Sequence, residues 1–178
     1  MIKRLILIRH GETSSNKADP TRKLTERGIF QIQKSASRIS ELIRPNTVIL
    51  SGNTNRTLQS TRILSKLLNI TTITNRPSLQ INKFSKFLNN SADPIKSYVE
   101  ASQLNILPKG VETISQALNR FEKVASPLIK NNSCLIIVGH GGFLDIIIKF
   151  HPWFENRPHS SWLQYGQVKY TDIKSDRI

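Results

Sequence analysis

Two apolar runs in this sequence each stop at a histidine followed by glycine: LILIRHG, residues 5–11, and LIIVGHGG, residues 135–142. A run of that kind reads as a strand, and a ring at its end is delivered to the sheet edge rather than to the core. Arg9 precedes the first histidine, and a third strand-like run, TVILSG (47–52), leads into a helical pattern that carries Arg56 at its start. Two imidazoles and two guanidinium groups on one edge suit a phosphoryl group. Guanidinium forks hold its oxygens bidentately, and helix N-termini such as those after Gly142 and near Arg56 add oriented N–H groups. A neutral imidazole can attack phosphorus in line. In this reading His10 is the nucleophile, its second ring nitrogen donating to a backbone carbonyl so that the attacking nitrogen keeps its lone pair. Arg9 and Arg56 bind the phosphate, His140 stabilises the equatorial oxygens, and Gly141 opens the backbone to the ligand. Catalysis of this kind is mostly positioning and charge stabilisation.

The competing use of paired histidines is zinc. No H-x-H or H-E-x-x-H spacing exists and carboxylates near either histidine are few, so no metal or other cofactor is expected. His151 and His159 stand beside Pro152 and Pro158 in a loop-like stretch and read as surface residues. The lone Cys134, inside SCLIIVGH, reads as a buried strand residue rather than a nucleophile.

The elements that position these residues alternate between periods. Ile29, Ile32, Ala36, Ile39 and Ile43 form a helical stripe, with Thr25 as its cap and Pro45 closing it. Leu58, Ile63, Leu64, Leu67 and Leu68 form another, and ITTIT (70–74) reads as a strand. Residues 75–109 lack clear periodicity and hold Pro77, Pro94 and Pro108; one short helix is expected from Pro94 to Gln103. TISQ from Thr113 has capping-box form and opens a long stripe that Pro127 is expected to bend or end. CLIIVGH is a continuous apolar strand of the type buried on both faces, a short apolar helix follows Gly142, and SWLQYGQVKYTDI alternates like a late antiparallel pair around Gly166. Alternating strands and helices imply one α/β domain, a mostly parallel sheet covered by helices, with ligands beyond the carboxyl ends of its strands.

The global numbers exclude more than they assign. With 178 residues the chain can bury a core without disulfides. The apolar run after Lys3 and Arg4 stops too early for a signal peptide or a membrane span, so a soluble cytoplasmic protein without a membrane partner is expected. The net charge of +14 favours encounter with phosphorylated partners. Its lysines and arginines are scattered, not interleaved with aromatics, and accompany no nucleic-acid-binding motif, so specific nucleic-acid binding is not expected.

In order and spacing, LIRHGET, KLTERG, SGNTNRTLQSTRIL, KGVET and VGHGGFL resemble the landmarks of the histidine phosphatase superfamily, the phosphoglycerate mutase-like enzymes. The resemblance spans about residues 3 to 150. It implies a three-layer α/β/α sandwich, phosphorylation of His10 supported by His140, phosphate held by Arg9 and Arg56, and Asn16 as a further phosphate ligand. One landmark is missing. Most members carry a glutamate after the third strand as proton donor to the leaving oxygen, where this chain has Gln80, Ile81 and Asn82.

Three readings follow, in decreasing order. Another carboxylate, such as Glu12, Asp93, Glu100 or Glu112, supplies the proton to a small phosphomonoester; the substrate is a phosphoprotein or other phosphoramidate, as for the short phosphohistidine phosphatases that resemble this branch and also lack the acid; or the chain binds phosphorylated ligands and turns them over poorly. Mutase activity is expected to rank below all three, because the mutases of this family usually carry a longer middle insertion than residues 75–109.

Overall fold

The computed structural model describes residues 2–14, 19, 21–73, 79–81, 93–154 and 163–178. In chain order its elements are β1 (Ile2–Arg9), α1 (Glu26–Ser40), β2 (Thr47–Ser51), α2 (Asn55–Leu68), β3 (Thr72–Ile73), α3 (Pro94–Gln103), α4 (Ile114–Asn131), β4 (Cys134–Gly139), α5 (Gly141–Phe150), a 3-10 turn (Pro152–Phe154), β5 (Val168–Lys174) and a second 3-10 turn (Ser175–Arg177). The strands form one sheet in the order β3-β2-β4-β1-β5. Four run parallel, and β5 lies antiparallel on β1 at the edge.

Successive side chains of a strand face opposite ways, and the core divides accordingly. Leu5, Leu7, Leu135 and Ile137 pack with Phe121 of α4 and Phe143 and Ile147 of α5 on one face. Ile6, Ile8, Cys134, Ile136 and Val138 pack with Ile32, Ala36 and Ile39 of α1 and Leu64 of α2 on the other. Strands buried on both faces explain the unbroken apolar runs of β1 and β4. The molecule is thus the three-layer α/β/α sandwich with a mostly parallel sheet that the sequence implies, and Cys134 is a buried strand residue within it.

The helix starts follow the capping residues. Thr25 Oγ1 accepts from the N–H of Gly28 at the head of α1, and Thr113 and Gln116 exchange reciprocal bonds at the head of α4. Helix α3 occupies Pro94–Gln103, with Asp93 as its cap.

Several expectations are corrected. Helix α1 ends at Ser40, before Ile43 and Pro45, because past the Glu41 cap the N–H of Leu42 tightens to an i→i−3 bond with the carbonyl of Ile39. Pro127 does not end α4, which continues to Asn131; buried Ala125 and Ile129 flank the proline and hold that part of the helix in the core. Among its described residues the late segment supplies one strand, β5, rather than a pair, since its partner is β1 and residues 163–167 form the turn leading into it. His151 is not a surface residue. It is 5% exposed and stacks edge-on against Phe121 and Trp153, with Nδ1 accepting from the N–H of Trp153. His159 lies outside the described residues.

Two glycines set how closely α1 approaches the end of β1. A Cβ on Gly11 would stand 2.3 Å from the carbonyl oxygen of Gly28, and one on Gly28 would stand 2.1 Å from that of Glu12. Backbone therefore lies on backbone where the chain leaves β1. No helix among the described residues is long and apolar enough to cross a membrane.

Candidate active site

The register of the central strands brings the two histidines together. Arg9 of β1 pairs with Gly139 of β4, so the next residue of each strand leaves the sheet at the same level. The N–H of His10 donates to the carbonyl of Gly139, and the His10 and His140 rings stand 5.0 Å apart, edge to face at 70°. From the neighbouring strand, Ser51 pairs with Val138, and a short connection then places Thr54 at the cap of α2 and Arg56 in its first turn. Ser60 Oγ accepts from the N–H of Gly11, which ties α2 to the exit of β1.

Each imidazole is held in one tautomer. His10 Nδ1 lies 2.7 Å from the carbonyl oxygen of Gly11, an acceptor only, so Nδ1 carries the proton and Nε2 keeps its lone pair. His140 Nδ1 lies 3.4 Å from Nη2 of Arg56, a donor only, which puts the His140 proton on Nε2, 3.3 Å from Thr54 Oγ1. The Thr54 hydroxyl passes the chain on to Thr57 Oγ1, which donates to the carbonyl of Thr54.

Burial and cations keep both rings neutral. His10 is 4% exposed, and its pKa is pushed down to about 3, first by desolvation and then by the charges of Arg56, Arg9 and Arg22. His140 is held well below the usual range by desolvation, followed by His10 and the same arginines. Arg56, 8% exposed, is pushed down to about 10, by burial first and by Arg22 second.

Arg9 is enclosed on several sides. Its Nη1 donates to the carbonyl of Leu163 at 2.7 Å, and its Cζ stands 3.9 Å from the centroid of the Tyr165 ring. A Cβ on Gly141 would meet the Arg9 side chain at 3.0–3.1 Å, so Gly141 makes room for that guanidinium at the head of α5. The buried Nε atoms of Arg9 and Arg56 have no hydrogen-bond partner among the described residues. A buried Arg56 and a partly buried Arg9 with unused donors, close to a neutral imidazole whose Nε2 is not taken by the Gly11 bond, form a receptor for an anion.

Of the residues singled out from sequence, the structure brings together His10, Arg9, Arg56, His140 and Gly141; Asn16 lies outside the described residues. Arg22, Tyr165 and Thr54 were not anticipated. Arg22 reaches the site because Thr13 and Leu24 form a β-bridge and its Nε donates to Thr13 Oγ1. Tyr165 sits one residue before Gly166, whose positive φ of 71° marks the turn, and its ring is 5.5 Å from that of His10. The T-x-x-T spacing from Thr54 to Thr57 at a helix start was a signal available in the sequence; Arg22 and Tyr165 had none.

The four carboxylates proposed as proton donors are all engaged. Glu112 receives both Nε and Nη2 of Arg120 at 2.7 Å; Asp93 caps α3; Glu100 pairs with Lys96; Glu12 accepts from Thr25 and lies 3.7 Å from Arg27. Leu79 offers its carbonyl to the His140 N–H, and Gln80, the first of the positions where the family glutamate is expected, turns its carbonyl to Arg120. Asn82 lies outside the described residues. Among the described residues no group of three His, Cys, Asp or Glu side chains forms a metal site.

Comparison with known proteins bears on fold and family. Similar solved structures include a phosphoglycerate mutase from Bacillus anthracis str. Sterne (TM-score 0.69, 13% identity, covering 99% of this chain and 90% of that one). Others are the phosphoserine phosphatase of Entamoeba histolytica in complex with 3-phosphoglyceric acid (0.59, 22%, 82% and 78%) and a mycobacterial glucosyl-3-phosphoglycerate phosphatase (0.58, 16%, 83% and 78%). At these identities the likeness establishes the fold alone. Comparison with curated proteins returns no match. The family model for histidine phosphatase superfamily (branch 1) matches residues 5–175, nearly the whole chain, and the protein therefore belongs to the histidine phosphatase superfamily.

Proposed function

We propose that this protein is a phosphatase that passes phosphate through His10 to water. The observation that carries this reading is the His10 tautomer: Nδ1 is committed to the Gly11 carbonyl, leaving Nε2 as a neutral nucleophile among guanidinium groups. In the first step the Nε2 lone pair forms a bond to phosphorus while the bond from phosphorus to the leaving atom breaks and that atom departs with its electron pair. In the second, water attacks the phosphohistidine, the P–N bond breaks back to Nε2, and inorganic phosphate leaves. Arg9 and Arg56 hold the equatorial oxygens, Arg22 adds a third positive charge, and the Nε2–H of His140, held by Thr54 Oγ1 in the free protein, turns from that hydroxyl to the developing negative charge.

The leaving group decides which substrates react well. With no free carboxylate beside the histidines among the described residues, an alkoxide would depart unprotonated, and a missing general acid costs about 10² to 10⁴ in rate. A phenolate, with pKa about 10, or the nitrogen of a phosphoramidate needs less help. This observation favours a second reading, in which the substrate is a phosphohistidine or other phosphoramidate, on a protein or free. Non-catalytic phosphate binding is the rival outside enzymology. Mutase activity ranks lower, although a mutase structure that this chain covers over 90% of its length weakens any argument from the size of the middle segment.

Turnover of an aryl phosphate, an alkyl phosphate and a phosphoramidate, with and without EDTA, separates the readings. The expected order is aryl phosphate and phosphoramidate well above alkyl phosphate, unaffected by chelator. Phosphate should be trapped on His10 by rapid alkaline quench and mass spectrometry, and His10→Ala should lose at least about 10³-fold in kcat. Full activity of His10→Ala would defeat the covalent mechanism, and phosphate binding without turnover of any substrate would leave a binding module.

A further inference from the structure

Asp145 is a buried carboxylate that the proposed mechanism does not use. It is 2% exposed, on the inner face of α5, five residues after His140 in a helix otherwise lined with Phe143, Leu144, Ile146, Ile147 and Ile148. An ionisable group in such a place is retained only where its hydrogen bonds matter. Its Oδ1 accepts from the N–H of Leu163 at 2.9 Å. The carbonyl of the same Leu163 accepts from Nη1 of Arg9 at 2.7 Å, and two residues on the Tyr165 ring covers the Arg9 guanidinium. The turn is tied to the Arg9 backbone as well, with Gly166 N–H donating to the Arg9 carbonyl and Arg9 N–H donating to that of Gln167.

The Leu163–Gly166 turn is thus a wall of the anion site, and one of its fastenings to the core is a side chain of the helix that begins beside His140. We propose that Asp145 is a positioning residue: by holding the Leu163 N–H it sets where the Leu163 carbonyl and the Tyr165 ring clamp the Arg9 guanidinium. Desolvation raises the Asp145 pKa to about 6, against the pull of the Leu163 N–H and of Arg9, which agrees with a carboxyl placed there for its hydrogen bonds rather than as a solvated charge. Arg9 has little freedom of its own. Gly141 backs it on another side, so its guanidinium moves when the turn moves.

The inference rests on the proposed function only in taking phosphate as the anion that Arg9 meets, and the test keeps the two apart. The Arg9 Nε–H resonance, assigned by its disappearance in Arg9→Lys, reports restraint of the guanidinium without any ligand. Titration calorimetry with inorganic phosphate reports the site. Asp145→Asn retains an oxygen that can accept from Leu163 and should keep the resonance and bind phosphate within twofold of the parent. Asp145→Leu should shift that resonance into the envelope of mobile arginines and weaken phosphate binding by roughly tenfold, the scale of coupling within one hydrogen-bond network. In the Arg9→Lys background the same change should cost less than twofold. Asp145→Ala serves in its place if the leucine variant is unfolded by circular dichroism. An unmoved Arg9 resonance in both variants, or an equal loss of affinity in the two backgrounds, overturns the proposal. If the parent protein binds no phosphate, the phosphatase reading falls and the resonance alone decides the role of Asp145.

Discussion

Arg56 donates from Nη2 to Nδ1 of His140 at 3.4 Å, and this contact decides which nitrogen of that ring carries the proton. Because a guanidinium only donates, the single proton of this neutral ring sits on Nε2, where Thr54 Oγ1 accepts it. The Arg56 guanidinium that is read as a phosphate ligand thereby also orients the second histidine.

Thr54 completes that arrangement by accepting from His140 Nε2. Thr54→Val keeps the shape and removes the acceptor and should lower kcat roughly tenfold, the loss of one hydrogen bond in an active-site network. Steady-state kinetics with an aryl phosphate checks this, and unchanged kcat would remove Thr54 from the site.

Replacing either fork by a point charge should separate charge from geometry. Arg56→Lys and Arg9→Lys keep a cation but lose planar, bidentate donors, and the Arg9 variant also loses its stack on Tyr165. Each should lose about 10² to 10³ in kcat/KM, comparable to removing one preorganised donor from an anion site. Near-normal kinetics in both lysine variants would show that net charge alone suffices.

Gly28 should tolerate no side chain. Its Cβ would meet the backbone of Glu12 at 2.1–2.9 Å, and backbone cannot swing aside as a side-chain tip can. Gly28→Ala should lower stability by about 1–3 kcal/mol, the usual cost of overpacking, despite the better helix propensity of alanine. Urea denaturation measures this, and a stabilised variant would show that α1 is free to shift.

Stability should rise with pH between about 4 and 6. His10, at about 3, His140 and His151 have lowered folded-state pKa values, so in this window the unfolded chain binds up to three protons that the folded chain has released. Asp145, raised to about 6, acts oppositely, with the folded chain holding one proton that the unfolded chain has lost. Three less one leaves a net uptake of up to two protons on unfolding, hence a slope of at most about 3 kcal/mol per pH unit. Thermal melts from pH 4 to 7 should show Tm climbing, and His10→Asn should flatten the climb. A Tm that falls as pH rises through this window would mean that the histidines titrate normally.

How much of this was readable before folding differs by element. Helices with a regular apolar stripe and a capping threonine were legible, because 3.6-residue periodicity and the capping bond are local properties. His10, Arg9, Arg56 and His140 were legible as a set, since each follows a strand-like run or opens a helix, and parallel strands bring such ends to one edge. The turn at 163–167 reads as a strand from sequence because alternation alone does not say which strand a segment pairs with. His151 reads as a surface residue because a neighbouring proline suggests a loop, while the aromatic cage of Phe121 and Trp153 forms only when α4 packs against the segment after α5.

By itself the sequence determined the strand-and-helix alternation, the two-sided burial of β1 and β4, the family, and the residue types available for phosphate chemistry, because all of these depend on pattern along the chain. Only the tertiary structure decided the register that seats His10 beside His140, the tautomer of each ring, the approach of Arg22 and Tyr165, and the engagement of the candidate carboxylates elsewhere. Those depend on distances between groups remote in sequence, and desolvation and charge act through space rather than along the backbone.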